Sequence, residues 1–164
     1  MPLTRFNGKT PILAAVVAFV RNTNRGLEVY LNRRPAHFRY YPDAYVFPGG
    51  QYDPLDNDLK ATACREVEEE IGAAIDPRRL VLLRETQTSP LAGPVYHMWT
   101  FVYPVAGDFR TCINADEIAD EVWTTPEEAL SQLKLPYQIV VALRAIAKFS
   151  TTEDLMRTLS KRNR

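Results

Sequence analysis

Four of the eight residues at 65–72 are glutamate, in the run REVEEEIG. If this run is helical, Glu69 and Glu70 follow Glu66 by three and four residues, and the three side chains share one face. Like charges at this spacing repel, and a divalent cation would remove the repulsion. Carboxylate oxygens are the ligands that Mg²⁺ and Mn²⁺ prefer. The run therefore fits a metal site, although a glutamate run is more commonly a solvated helix face.

The helix that would carry these carboxylates is predicted at Leu59–Ile71. Its apolar residues recur every four positions, at Leu59, Ala63, Val67 and Ile71. Three polar residues precede it and can cap its first turn: Asp56, Asn57 and Asp58. Gly72 is predicted to end the helix. Because the apolar stripe fixes the rotation of the helix, the carboxylate face should turn towards the upstream pair Gly49 and Gly50.

The rest of the chain shows short strand and helix patterns. Strands are predicted at Pro11–Val20, 27–34, 44–47, 79–88 and 95–105, and around Val122 and Trp123, with SPLAG joining the fourth and fifth. Helices are predicted from Pro126, capped by Thr125, and over Pro136–Phe149. Residues 152–164 are predicted to be a basic C-terminal tail that forms a frayed helix. These elements predict an α/β (α+β) protein, a single domain over residues 1–164, with a mixed β-sheet between helices.

The segment GGQYDPLDNDLKATACREVEEEIGA resembles the signature box of the Nudix hydrolases, written G-x5-E-x7-R-E-U-x-E-E-x-G-U with U a bulky apolar residue. Its second half matches at Arg65, Glu66, Val67, Glu69, Glu70 and Gly72. Its first half is one residue longer than the pattern, and the expected first glutamate falls on Asn57. That glutamate commonly pairs with the box arginine in the family. The resemblance therefore implies that Asp56 or Asp58 pairs with Arg65, and it implies a Nudix-like fold.

The resemblance also implies an activity, the hydrolysis of a nucleoside diphosphate linked to another group, with Mg²⁺ or Mn²⁺ as cofactor. The implied metal ligands are Glu66, Glu69, Glu70 and a backbone oxygen of Gly50. Arg65 would orient a box carboxylate. The general base of the family is a box glutamate or one on a distant loop, and Glu117 and Glu121 are candidates for the second case. The alternative is a non-catalytic Nudix-like module that binds a nucleotide as a sensor or regulator.

A weaker similarity concerns the substrate. RPAHFRYYPDAYVFPGGQYD resembles the coenzyme A pyrophosphatase branch, in which an Arg-Ser-x-x-Leu-Arg run precedes Phe-Pro-Gly-Gly. Arg34 and Arg39 stand at the matching distances, whereas Pro35 and Phe38 depart from the branch. The residues that would contact substrate are Arg34, Arg39, Gly49 and Gly50. The implied substrate is of the coenzyme A, ADP-ribose or dinucleotide type.

An aromatic stripe marks one of the predicted strands. It consists of His97, Trp99, Phe101 and Tyr103, which alternate onto one face. Such a stripe could stack an adenine ring, but it more commonly packs in the core.

The composition limits the partners of the protein. Twenty basic and twenty acidic side chains give a formal net charge of zero, so neither bulk nucleic acid nor a membrane surface is expected as a partner. The apolar run at Pro11–Val20 is too short to span a bilayer and is interpreted as a hairpin strand. The protein is predicted to be cytoplasmic and to bind a small-molecule nucleoside diphosphate derivative, and a homodimer is left open.

Overall fold

The structure is a computed structural model that describes residues 8–88 and 94–164, so the predicted SPLAG connection lies outside the described residues. Within these ranges the strands are β1 (Ile12–Thr23), β2 (Gly26–Arg33), β3 (Tyr45–Val46), β4 (Gly49–Gln51), β5 (Val81–Gln87), β6 (Tyr96–Pro104) and β7 (Asp120–Thr124). The helices are α1 (Leu59–Ile71), α2 (Pro126–Gln132), α3 (Tyr137–Ile146) and α4 (Thr152–Arg162). The strands form one mixed sheet, which confirms the predicted fold class.

Strand β1 is the centre of the sheet. It pairs antiparallel with β2 in the predicted hairpin and parallel with β6 along nine residue pairs, from Ile12–Tyr96 to Val20–Pro104. One face of β1 contributes to a core with α2, α3 and α4, and the other face to a core with α1. Because helices cover both faces, β1 is a continuous apolar run and lacks the polar alternation of a half-exposed strand.

Helix α1 has the predicted bounds. The carboxylate of Asp58 caps it by accepting a hydrogen bond from the backbone N–H of Ala61 at 2.8 Å, and Gly72 ends it in the left-handed conformation at φ 65°. The predicted stripe residues Ala63, Val67 and Ile71 are fully buried against the sheet. This packing fixes the rotation of α1 and so the direction of its carboxylates.

The end of the chain is helical, as predicted, but the helix is packed against the core instead of frayed. Residues 152–162 form α4, in which Leu155 and Leu159 are buried in the core shared with α3. Thr151 caps the helix by accepting from the N–H of Asp154. A basic composition alone suggested a solvated segment, but two leucines four residues apart are sufficient to attach the helix to the sheet.

A second difference concerns the glycine pair, which the sequence marked as the end of a strand. Gly49 and Gly50 belong to β4, which pairs antiparallel with β1 through Val16–Gly49 and Ala15–Gly50. The N-terminal half of β1 thus pairs with β4 and its C-terminal half with β2. On this edge β1 therefore changes its partner between Val16 and Val20, directly beside the glycine pair. None of the helices within residues 8–88 and 94–164 is long and apolar enough to cross a membrane.

Candidate active site

Arg65 anchors the loop before α1 to the helix. Its Nε and Nη2 donate to the two carboxylate oxygens of Asp56 at 3.0 and 2.9 Å, and Nη2 also donates to the carbonyl oxygen of Gln51 at 3.2 Å. Asp56 further accepts from the hydroxyl of Thr62 at 2.8 Å. The hydrogen bonds from Arg65 hold the pKa of Asp56 well below its usual range. Of the two candidate aspartates, Asp56 contacts Arg65 and Asp58 caps α1.

Glu66 lies directly against Gly50. A β-carbon built on Gly50 would fall within 2.8 Å of both Glu66 carboxylate oxygens, so any other residue would push this carboxylate away. Glu66 accepts from Nη1 of Arg65 at 2.7 Å, and its side chain is 16% exposed. Burial raises the pKa of Glu66 and the charges of Glu69 and Glu117 add to the rise, while Arg65 opposes it.

Glu70 lies beside the other glycine of the pair. One of its carboxylate oxygens accepts from the backbone N–H of Gly49 at 2.9 Å. Burial raises the pKa of Glu70 to about 8, against the effect of that hydrogen bond, and the charges of Glu66 and Glu117 raise it further. The positive charge near Glu70 is too small to offset its burial, so the ionised form of this side chain is unfavourable.

The remaining glutamates of the run separate by exposure. Glu69 is 53% exposed and contacts Arg65 at 3.4 Å, whereas Glu68 is exposed. Within residues 8–88 and 94–164, no three acidic, histidine or cysteine side chains converge as in a formed metal site. The donors still fit a hard divalent cation, because Glu66 and Glu70 are partly buried oxygen ligands whose charges repel each other.

A loop brings one distant glutamate to these carboxylates. Residues 112–119 are attached to α1 by hydrogen bonds from the N–H groups of Cys112 and Asn114 to the carbonyls of Ile71 and Glu70, at 2.8 and 2.7 Å. Glu117, on this loop, raises the pKa of both Glu66 and Glu70 by its charge. One Glu117 oxygen accepts from the Asn114 amide at 3.0 Å.

The second candidate base is engaged elsewhere. A carboxylate oxygen of Glu121 accepts from the hydroxyls of Tyr30 at 2.6 Å and Thr111 at 2.7 Å. These bonds attach the segment around β7 to β2, next to the loop that carries Glu117. The structure therefore places Glu117 on a loop attached to the end of α1, and it engages Glu121 with Tyr30 and Thr111.

A pocket of about 200 Å³ opens at the other side of the glycine pair. Arg34 lines it, donates from Nε to the carbonyl of Tyr40 at 3.0 Å, and lies over the ring of Phe38 at 4.8 Å. Burial lowers the pKa of Arg34, and attraction from Glu70 opposes this change. Arg34 therefore stands between the carboxylates and the pocket, and Arg39 is exposed and lies over the Tyr40 ring, outside the pocket lining.

Several pocket residues were not predicted from the sequence: Tyr40, Tyr41, Tyr96, Met98, Gln138 and Ile139. The predicted aromatic stripe instead contributes Phe101 and Tyr103 to the core beneath α1. Tyr96 and Met98 occupy positions that alternate with the stripe residues, so they lie on the opposite face of β6. The alternation along β6 is evident in the sequence, but the position of α3 determines which face of the strand lines the pocket.

The chain is similar to known proteins in its sequence. A family model described as NUDIX domain matches residues 11–143. The peroxisomal coenzyme A diphosphatase NUDT7 of Mus musculus is 33% identical over 120 residues, covering 70% of this chain and 48% of the relative. The Nudix hydrolase NudL of Yersinia pestis (strain Pestoides F) is 33% identical over 101 residues, covering 62% and 49%. The chain thus spans about half the length of these curated relatives.

Solved structures show the same fold. A NUDIX hydrolase from Alicyclobacillus acidocaldarius superimposes with a TM-score of 0.81 at 20% identity, covering 92% of this chain and 97% of that one. The NUDIX domain of Shewanella oneidensis NrtR, crystallised with ADP ribose, superimposes with a TM-score of 0.70 at 16% identity, covering 85% and 88%. At these identities the likeness concerns the fold alone.

Proposed function

Because this chain belongs to the Nudix family, we propose that it hydrolyses the diphosphate linkage of a nucleoside diphosphate joined to a second group. The products would be a nucleoside monophosphate and the phosphate of that group. The observation that carries the proposal is the placement of Glu66 against Gly50 and of Glu70 against Gly49. Two repelling carboxylates held beside a glycine strand suit the binding of cations and of a diphosphate next to them.

The proposed metal ligands are Glu66, Glu69 and Glu70, with a backbone oxygen of Gly50, and the proposed ion is Mg²⁺ or Mn²⁺. When bound, the ion neutralises charge on the phosphate oxygens and makes phosphorus more susceptible to attack. The support for this assignment is the burial of Glu70, whose ionised form would be favoured by a nearby cation, together with the exposure of Glu69. Arg65 acts as a positioning residue, since Asp56 fixes it and it in turn contacts Glu66 and Glu69.

Arg34 is the proposed phosphate-binding residue. It lines the pocket at the glycine pair, and its guanidinium is attracted to Glu70 from that side. A diphosphate that reached the carboxylates from the pocket would pass this guanidinium, which can donate two parallel hydrogen bonds to phosphate oxygens. Arg34 would thus orient the substrate with its phosphates towards α1.

Glu117 is the proposed general base. Its Oε1 accepts from Asn114, and its second oxygen has no hydrogen-bond partner among residues 8–88 and 94–164. In the proposed step that oxygen takes a proton from water, a new bond forms between the water oxygen and phosphorus, and the bridging P–O bond breaks. The proton then passes to a product phosphate, so that one water molecule is consumed for each diphosphate cleaved.

The proposed substrate is of the coenzyme A, ADP-ribose or dinucleotide type. The support is the 33% identity to a coenzyme A diphosphatase over 70% of this chain. These compounds share a diphosphate attached to an adenosine. A screen of the purified protein with Mg²⁺ or Mn²⁺ should include coenzyme A, ADP-ribose, NADH, dinucleoside polyphosphates and nucleoside triphosphates, with separation of the products to identify which bond is cleaved.

The decisive test compares Glu70→Gln with the matched control Glu68→Gln. The first removes a proposed metal ligand, and the second makes the same change on an exposed residue of the same helix turn. Glu70→Gln should keep its fold, because it removes a charge that burial disfavours, and should lose both Mn²⁺ binding and hydrolysis. Glu68→Gln should keep both. Hydrolysis unchanged by Glu70→Gln would refute the ligand assignment, and nucleotide binding without any hydrolysis by the wild type would instead support a regulatory module.

A further inference from the structure

Gln138 is a mostly buried polar residue in the lining of the pocket. It lies in the first turn of α3, is only 7% exposed and lines the cavity. Its side chain makes no hydrogen bond to any residue within 8–88 and 94–164, whereas the other glutamine in the lining, Gln51, donates to the hydroxyl of Tyr96 at 3.3 Å. The amide of Gln138 is therefore free to donate to and accept from a ligand in the pocket.

The walls of the pocket suit a flat ring. They combine tyrosines with apolar side chains: Tyr40, Tyr41 and Tyr96 with Val16, Met98 and Ile139. The volume of about 200 Å³ is below the range of roughly 300–1,000 Å³ that is usual for whole drug-sized ligands. The cavity therefore accommodates a single ring system and not a complete dinucleotide.

The tyrosines at the mouth are held in place. Tyr41 has a positive φ of 52°, an uncommon conformation for a residue with a β-carbon, and the N–H of Ala44 donates to its carbonyl at 3.2 Å. The carbonyl of Tyr40 accepts from Arg34. The residue proposed to bind phosphate thus also orients the aromatic mouth, which places a ring site and a phosphate site side by side.

We propose that this pocket binds the adenine ring of the nucleotide and that Gln138 recognises its N6 amine and N7. The inference rests on the proposed function for the position of the diphosphate. A glutamine amide offers one acceptor and two donors, the set that matches the amine and ring nitrogen at this edge of adenine. None of the described residues lining the pocket is acidic. The pocket therefore offers no carboxylate to accept hydrogen bonds from the additional N–H donors of guanine.

The test compares ADP-ribose with IDP-ribose, in which a carbonyl replaces the N6 amine. Wild-type protein should prefer ADP-ribose by about tenfold in kcat/KM, as expected for one bidentate amide contact. Gln138→Leu should lose this preference by a fall in kcat/KM for ADP-ribose alone. The matched control is Gln132→Leu, the same change at an exposed position of α2, which should leave the preference unchanged.

Two results would overturn the inference: a wild-type protein that does not distinguish the two substrates, or a Gln138→Leu variant that weakens both equally. If the wild type hydrolyses neither compound, the proposed function fails separately. Calorimetric binding of ADP and IDP then still tests the pocket. Tighter binding of ADP than of IDP, lost in Gln138→Leu, would support the adenine site without catalysis, and equal binding would refute it.

Discussion

The guanidinium of Arg65 is held by both carboxylate oxygens of Asp56, nine residues earlier in the chain. This pair closes the loop between β4 and α1, because Arg65 also binds the Gln51 carbonyl at the end of β4. The same guanidinium contacts Glu66 and Glu69. One ion pair therefore links the shape of the loop to the positions of the carboxylates that we assign to the metal.

Replacing Asp56 with Asn should destabilise the protein by about 2 kcal/mol, since it leaves a partly buried arginine without its counter-charge and Arg65 keeps some access to water. The measurement is the free energy of unfolding in urea. Asp58→Asn is the matched control, and it should change stability by less than about 0.5 kcal/mol because asparagine caps helices as well as aspartate does. Equal losses in both variants would contradict the assignment of Asp56 as the partner of Arg65.

The stability that Asp56 provides should depend on pH. Arg65 lowers the pKa of Asp56 in the folded protein from its ordinary value of 3.8, so folding favours the ionised form. The contribution is complete above the unfolded pKa and is lost as the pH falls through the folded one. The gap in unfolding free energy between wild type and Asp56→Asn should be largest near neutral pH and should narrow below about pH 4. If the difference in unfolding free energy instead grew in acid, the prediction that folding lowers the pKa of Asp56 would be wrong.

Gly50→Ala should reduce hydrolysis strongly while the protein remains folded. The added methyl group would overlap the Glu66 carboxylate, and moving this carboxylate disrupts the proposed metal site. Gly107→Ala is the control, because a β-carbon there meets nothing within 4 Å. Measurements of kcat and of Mn²⁺ affinity should show losses in the first variant only. Normal activity in Gly50→Ala would indicate that Glu66 is not a ligand.

Glu117→Gln should lower kcat by about 100-fold or more, the usual effect of removing a general base, and should leave Mn²⁺ binding intact. That combination distinguishes a base from a metal ligand. Glu121→Gln should have a much smaller effect on kcat, because its amide oxygen can still accept from Tyr30 and Thr111. If the larger loss occurs in Glu121→Gln, the roles of the two glutamates must be exchanged.

Helix α4 should contribute substantially to stability. Leu155 is fully buried, so Leu155→Ala should cost about 3 kcal/mol through lost burial and the cavity left behind. Thr158→Ala, at an exposed position of the same helix, should change stability by less than about 0.5 kcal/mol. Thermal unfolding of both variants measures the difference. A negligible loss in Leu155→Ala would restore the frayed tail that the composition suggested.

Features that depend on neighbours along the chain are predictable from the residue order alone. The bounds of α1, its apolar stripe and the shared face of Glu66, Glu69 and Glu70 all follow from a spacing of three or four residues. The box also identified the family, since its residue types occur at fixed positions in one continuous segment. These features need no knowledge of where other strands lie.

Contacts between residues that are distant in the chain depend on how the elements pack. Asp56 and Asp58 are equally plausible partners for Arg65 in sequence, and the path of the loop from β4 brings Asp56 to it. Glu117 and Gln138 lie far from the box along the chain. The loop that carries Glu117 is hydrogen-bonded to the end of α1. Gln138 meets the glycine pair in one pocket because α3 packs against the sheet. Local periodicity describes one element at a time, whereas strand order and helix packing determine which elements share a site.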